Sequence, residues 1–107
     1  MKIWVPLDLN KDLEVEGFFS LITMEGNVLF LFSNALKRDD FLKTAALEKA
    51  NRGGKIGHFE LEADSFSDAA RQLLGMDPSL AGNVIFLSDS DPLFDDYLKQ
   101  MKQMSGI

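Results

Sequence analysis

The sequence predicts an α+β (α/β-like) fold, a single mixed five-stranded sheet with three helices in the order β-β-β-α-β-α-β-α. Three observations predict it. Short β-prone apolar runs such as Val84-Ile85-Phe86-Leu87 alternate with stretches at helical spacing such as Phe94, Tyr97, Leu98 and Met101. Strand–helix–strand units of this kind are expected to cross over right-handedly. With 107 residues, 46% apolar and 26% charged, the chain has the balance of one ordinary globular domain spanning residues 1–107.

Each element has a local cause. Residues 2–7 form the first strand, stopped by Pro6, which cannot donate to a ladder. Residues 8–16 are polar and read as a loop. Residues 18–24 and Val28–Phe32 flank a turn at Glu25-Gly26-Asn27 and make a hairpin. Both of its strands are apolar on both faces, which places them in a sheet covered on both sides. Ser33 or Asn34 caps a helix through Ala50 that ends at Asn51-Arg52-Gly53-Gly54, with Leu42, Ala45, Ala46 and Lys49 marking its buried stripe and flank.

Residues 56–63 alternate: Phe59, Leu61 and Ala63 face inward, while His58, Glu60 and Glu62 face water near a sheet edge. Ser65 caps a second helix, with Asp68 in its first turn and Phe66, Ala69, Ala70, Leu73 and Leu74 at helical spacing. Asp77-Pro78-Ser79-Leu80 reads as one helical turn, Val84–Leu87 as a buried strand, and Asp91-Pro92 as the start of the last helix.

Charge and cysteine exclude several functions. The chain has no cysteine, which removes disulfides, thiolate catalysis and zinc–thiolate sites and fits a reducing cytoplasm. The N-terminus shows no apolar stretch of signal-peptide length, and the longest apolar run, Val28–Phe32, is far too short for a membrane span. Net charge is −6. Residues 37–55 carry six bases against three acids, whereas residues 60–96 carry nine acids against Arg71 alone. Such an acidic stretch repels phosphate backbones, so nucleic acid is not an expected ligand, and a basic protein partner suits it better.

No cofactor or metal site emerges. Asp89 and Asp91 follow a buried strand and so resemble the carboxylate pair of metal-dependent phosphotransferases, but too few residues remain downstream for that machinery. Turn formation and helix capping explain them instead. His58 is the sole histidine and sits beside Glu60 and Glu62 on a polar face. Gly53-Gly54-Lys55 lacks the hydroxyl residue of a phosphate loop and precedes a strand. The nine phenylalanines lie in apolar runs without basic neighbours and read as core. Trp4, Met101 and Met104 are the candidates for exposed apolar contact.

The opening Ile3-Trp4-Val5-Pro6-Leu7, and Leu29-Phe30-Leu31-Phe32-Ser33-Asn34 running into a helix, resemble the N-terminal domain of the SseB family. That family opens on a strand ending in proline and closes a hydrophobic strand on Phe-Thr-Ser; Ser33 and Asn34 depart from the Thr-Ser pair. The later strand Val84–Leu87 is similar in placement. The resemblance implies a small bacterial α/β domain without an established enzymatic role, and it carries no functional residues with it.

The function expected from the residues is a cytoplasmic, non-enzymatic protein-interaction domain. Its partner-binding face comprises Glu60, Glu62, Asp89, Asp95 and Asp96. The alternatives are an acidic inhibitor or immunity-type protein, which needs one continuous acidic face, and a small enzyme. An enzyme site would need Ser33-Asn34 and residues 88–91 to open onto one cavity with a perturbed carboxylate. A homodimer through Trp4 or the Met101–Met104 side of the last helix is also expected.

Overall fold

The computed structural model of the chain describes residues 1–50 and 53–104. The general class holds: the described residues form an α+β fold with three helices and six strands. The elements are β1 (Lys2–Leu9), β2 (Val15–Phe18), β3 (Leu21–Thr23), β4 (Gly26–Leu31), α1 (Ala35–Ala50), β5 (Lys55–Glu62), α2 (Phe66–Met76), β6 (Val84–Ser88) and α3 (Phe94–Met104), with a 3₁₀ turn at Pro78–Leu80. The single five-stranded sheet is not what forms. Six strands make two three-stranded sheets, β2-β1-β5 and β3-β4-β6. A two-bond bridge joins them, Trp4 N–H to the Phe32 carbonyl at 2.8 Å and Phe32 N–H to the Trp4 carbonyl at 2.9 Å.

Pro6 sits where the sheets part. The Trp4 backbone faces β4, so by the alternation of an antiparallel ladder Pro6 faces the same side. Its carbonyl accepts from Phe19 N–H at 3.0 Å, but it has no N–H to return the bond. The segment expected to form one strand over residues 18–24 therefore breaks at Phe19-Ser20. Val15–Phe18 pairs with β1, and Leu21–Thr23 pairs with β4. Pro6 does not stop β1, which runs to Leu9 by pairing with β5 along its whole length. The hairpin turn is Met24-Glu25, and Gly26 follows it at φ 129°, a conformation side chains disfavour.

β4 is the strand buried on both faces. Val28, Phe30 and Phe32 enter one core with Phe41 and Ala45 of α1, Leu87 of β6, and Phe94, Leu98 and Met101 of α3. Leu29 and Leu31 enter a second core with Ile3, Val5, Leu61, Ala63, and Ala69 and Leu73 of α2. The helices thus lie on opposite faces, α1 and α3 on one and α2 on the other. β5 runs antiparallel to β1, and β1 is antiparallel to β4 at the bridge, so β4, β5 and β6 point the same way. The crossover from β4 to β5 and the return from β5 to β6 run in opposite directions, so crossovers of one hand require opposite faces.

Several elements start as their sequences predict. Asn34 caps α1, its side-chain oxygen accepting from Leu36 and Lys37 N–H. Ser65 Oγ accepts from Asp68 N–H at 3.1 Å, and Asp68 accepts in return from Asp64 N–H at 2.9 Å. Asp77 caps the turn at Pro78–Leu80. Three expectations need correction. The buried stripe of α1 is Phe41, Thr44 and Ala45, with Ala46 exposed, because the helix sits rotated toward the aromatic cluster. β3 and β6 are sheet edges rather than covered strands, leaving Ile22 and Ile85 exposed. Met101 is 1% exposed and belongs to the core, and Trp4 is half-buried under Arg38 at 4.5 Å, so neither offers the apolar patch expected of a dimer. The side chains of Lys49 and Met104, and Asn51 and Arg52 at the end of α1, lie outside the described residues.

Phe30 is the hub of the first core, with its ring 4.8 Å from Phe41, 5.9 Å from Phe94 and 6.2 Å from Phe32. Removing it leaves a cavity that helices on only one side can refill. Phe30→Ala is expected to cost about 3–5 kcal/mol, while Ile22→Ala on the exposed β3 edge stays within about 0.5 kcal/mol. Urea denaturation of both variants measures the contrast, and equal losses would contradict this division of core and edge.

Candidate functional site

Because β4, β5 and β6 point the same way, their C-terminal ends gather at one end of the molecule with the N-terminal ends of all three helices. The loops expected to line an enzyme site, Ser33-Asn34 and residues 88–91, do meet there. Asp89 closes the space between them. Its carboxylate accepts from Ser33 N–H at 3.0 Å, Asn34 N–H at 2.8 Å and Ser33 Oγ at 3.3 Å. Its N–H donates to the Leu31 carbonyl at 3.0 Å, extending the β6 pairing by one residue. Its carbonyl accepts from Lys37 Nζ at 2.7 Å, and that ammonium also lies 5.4 Å from the Phe94 ring centroid. The side chain is 2% exposed. A buried carboxylate is tolerated when amide dipoles and a cation compensate it, and both are present here.

Asp89 is therefore a fastener between two loops and leaves the expected partner-binding face. The other acids of that face stand apart in two groups. Glu60 and Glu62 project from β5 on the side covered by α1. Glu60 accepts from Trp4 Nε1 at 2.8 Å and lies 3.8 Å from Lys2 Nζ. Glu62, with 75% of its side chain exposed, lies 3.7 Å from the chain's amino terminus. Asp95 and Asp96 sit exposed in the first turn of α3, where the helix dipole favours acids. Between the groups lies α1, packed against both β5 and α3, with Lys37 on Asp89 and Arg38 over Trp4. Glu60 and Glu62 thus stand on one side of α1 and Asp95 and Asp96 on the other. His58 is exposed beside Glu60 on β5.

The opening at this end lies on the opposite side of the sheet, facing α2. It has a volume of about 230 Å³ and is lined by Leu31 of β4, Phe86 and Ser88 of β6, Phe66, Ser67 and Ala70 of α2, and Asp91. Its floor is apolar and its rim is polar. Asp91 Oδ1 accepts from Leu93 N–H at 2.9 Å, its carbonyl accepts from Phe94 N–H, and Ser88 Oγ and Ser90 Oγ bond at 2.9 Å. The rim is thus held by the turn leading into α3. Residue-by-residue reading missed this opening, because Leu31 and Phe86 look like ordinary core and Phe66 and Ala70 like an ordinary helix stripe. The available signal was the pair of serines and an aspartate at a strand's C-terminal end, where ligands of α/β sheets commonly sit.

Among the described residues, no three histidine, aspartate or glutamate side chains gather closely enough to hold a metal ion. No helix among them is long and apolar enough to cross a membrane. No family model matches the chain, and no curated protein or solved structure matches it. The functional reading rests on the chain's own geometry.

Two predictions follow from the fastening of this end. Replacing Asp89 by alanine removes the acceptor of two part-buried amides, so Asp89→Ala is expected to cost about 1–3 kcal/mol. Asp89→Asn, which keeps an oxygen toward the amides, should cost less; equal stability of Asp89→Ala and wild type by denaturation would contradict the role. The Asp68 carboxyl is held below its ordinary value of 3.8, chiefly by the Asp64 N–H bond, opposed by desolvation and aided by Gln72 and Arg71. Its folded value lies below its unfolded one. Its contribution to α2 is therefore complete above the unfolded value and declines as pH falls through the folded value. A carboxyl NMR titration placing Asp68 at or above 3.8 would contradict the capping geometry.

Proposed function

We propose that this chain is a cytoplasmic, non-enzymatic protein-interaction domain that captures a basic segment of a partner protein at the opening between α2 and β6. The observation that carries the reading is the size and chemistry of that opening. At about 230 Å³ it falls below the roughly 300–1,000 Å³ of small-molecule clefts. Leu31, Phe66, Ala70 and Phe86 offer contact to a single apolar side chain, and Ser67, Ser88 and Asp91 add polar groups beside them. Asp91 at the rim supplies the nearest attraction for a basic partner, with Asp95 and Asp96 in the first turn of α3 a few residues beyond it, whereas Glu60 and Glu62 stand on β5 in the other sheet. Asp64 and Asp68 at the start of α2 add to the same sign. Nucleic acid is disfavoured by that charge, and the cysteine-free composition fits a reducing compartment.

An enzymatic reading loses support because the two loops that would form its cavity are tied together by Asp89. The test is fluorescence anisotropy with short labelled peptides carrying one leucine between lysines. Binding should weaken as salt rises, because exposed charges are screened over about 8 Å at physiological ionic strength. Ala70→Trp, which fills the opening, should weaken binding by at least about tenfold. Equal binding of a glutamate-for-lysine peptide, or unchanged binding by Ala70→Trp with the fold intact, would overturn the proposal.

A further inference from the structure

β6 occupies the edge of the β3-β4-β6 sheet, and among the described residues no strand pairs with its outer side. Which backbone groups face outward follows from one bond. Asp89 N–H donates to the Leu31 carbonyl, and in a parallel ladder alternate residues face the neighbouring strand. Ile85 and Leu87 therefore share the inward direction of Asp89, while Val84, Phe86 and Ser88 turn their backbone toward the open side. The Ser88 carbonyl is taken by Asp91 N–H. The outward set is the N–H and carbonyl of Val84 and of Phe86 and the Ser88 N–H. The same Phe86 and Ser88 line the opening with their side chains.

Sheet edges are normally blunted by charge, proline or brevity, because an open one templates pairing with another chain. The other edges here follow that rule. β5 carries Lys55, Glu60 and Glu62, β2 has four residues with Glu16 among them, and β3 has three. β6 reads Val-Ile-Phe-Leu-Ser, with neither charge nor proline, and Ile85 is 43% exposed on its other face.

We propose that the open edge of β6 takes an extended segment of a partner protein as an added strand, with one apolar side chain seated in the opening lined by Phe66, Ala70 and Phe86. The proposal rests on the interaction reading above and gives it a binding mode: main-chain bonds supply affinity, and pockets for alternate side chains supply specificity. Side chains of an added strand alternate between faces, so residues two apart fall on the α2 side and the residue between them covers Ile85. Charge decides the occupant. A second copy of this chain would bring another −6 charge and a second acidic end against the same edge. A lysine- or arginine-flanked segment meets Asp91 at the rim and the acids of α3's first turn instead.

The test uses the whole chain and a short blocked peptide of alternating valine and threonine around a central leucine, with a lysine at each end. A second peptide is identical except for N-methyl groups on the backbone nitrogens that would face β6. The plain peptide should bind, and the amides of Phe86 and Ser88 should become protected from hydrogen exchange. N-methylation should weaken binding by about tenfold or more, because it removes edge bonds and leaves the side chains in place. If both peptides bind equally with Ala70→Trp still disruptive, strand addition is overturned while side-chain capture stands. If neither lysine-bearing peptide binds, both readings fall. Self-association that protects the Phe86 amide without peptide would make a second copy the occupant and overturn the proposal.

Discussion

The burial of β4 on both faces is the constraint on which the rest of the structure depends. Five consecutive apolar residues, Val28–Phe32, point alternately into two separate cores, so helices must cover both sides of one strand. Crossovers of a single hand can do this only by leaving in one direction and returning in the other, which is the path the chain takes through α1, β5 and α2. β1, pinned to Phe32 by two backbone bonds, then brings β5 and β2 along as a second sheet. The aromatic cluster around Phe30 fills the space on the α1 side, where Phe41, Phe32 and Phe94 meet at tilted and edge-to-face angles. On the α2 side Leu29 and Leu31 pack with fully buried aliphatic residues, and half-buried Phe18, Phe59, Phe66 and Phe86 close around them.

The two faces of the sheet end differently, and that difference shapes the functional end. On the α1–α3 side Asp89, Asn34 and Lys37 tie the loops together, and Arg38 lies over Trp4. The gap between helices is filled with paired polar groups. On the α2 side one helix alone spans the sheet, and between Phe66, Ala70 and the end of β6 a small opening remains, with Ser67, Ser88 and Asp91 beside its apolar residues. A site for chemistry would need free polar groups converging in a cavity. Here Asp89 and Asp91 Oδ1 accept backbone N–H groups and the Ser88 and Ser90 hydroxyls bond each other, beside apolar surface, strand backbone and acidic residues. Those are the means by which one protein grips an extended piece of another.

Local signals in the sequence were sufficient for the helices and most strand centres. Asn34, Ser65 and Asp77 are capping residues by chemistry, and each caps in the fold. The division into two sheets was not legible, because it depends on which edge of β1 the missing N–H of Pro6 faces, a matter of tertiary pairing. The break at Phe19-Ser20 follows from the same pairing, so Phe18–Met24 read as one apolar run. β6 read as buried because an apolar run looks alike at the centre and the edge of a sheet. Asp89 read as surface because a carboxylate's partners, the Ser33 and Asn34 amides, lie far away in sequence. Alternation along β5 puts Glu60 on an exposed face, whereas its bond to the Trp4 indole depends on the β1–β5 register. Composition showed the acids; only the packing of α1 between β5 and α3 divides them into two groups.

Native-state hydrogen exchange of the free protein, read amide by amide along β4 and β6, tests the central claim most directly. A strand buried on both faces and an adjoining open edge require different exchange patterns. Val28, Leu29, Phe30 and Leu31 should exchange only by global unfolding. Along β6 the Ile85 and Leu87 amides should be protected, with Phe86 between them exchanging fast. Uniform protection of Ile85, Phe86 and Leu87, or rapid exchange within β4, would contradict an account built on a doubly covered central strand beside an open edge.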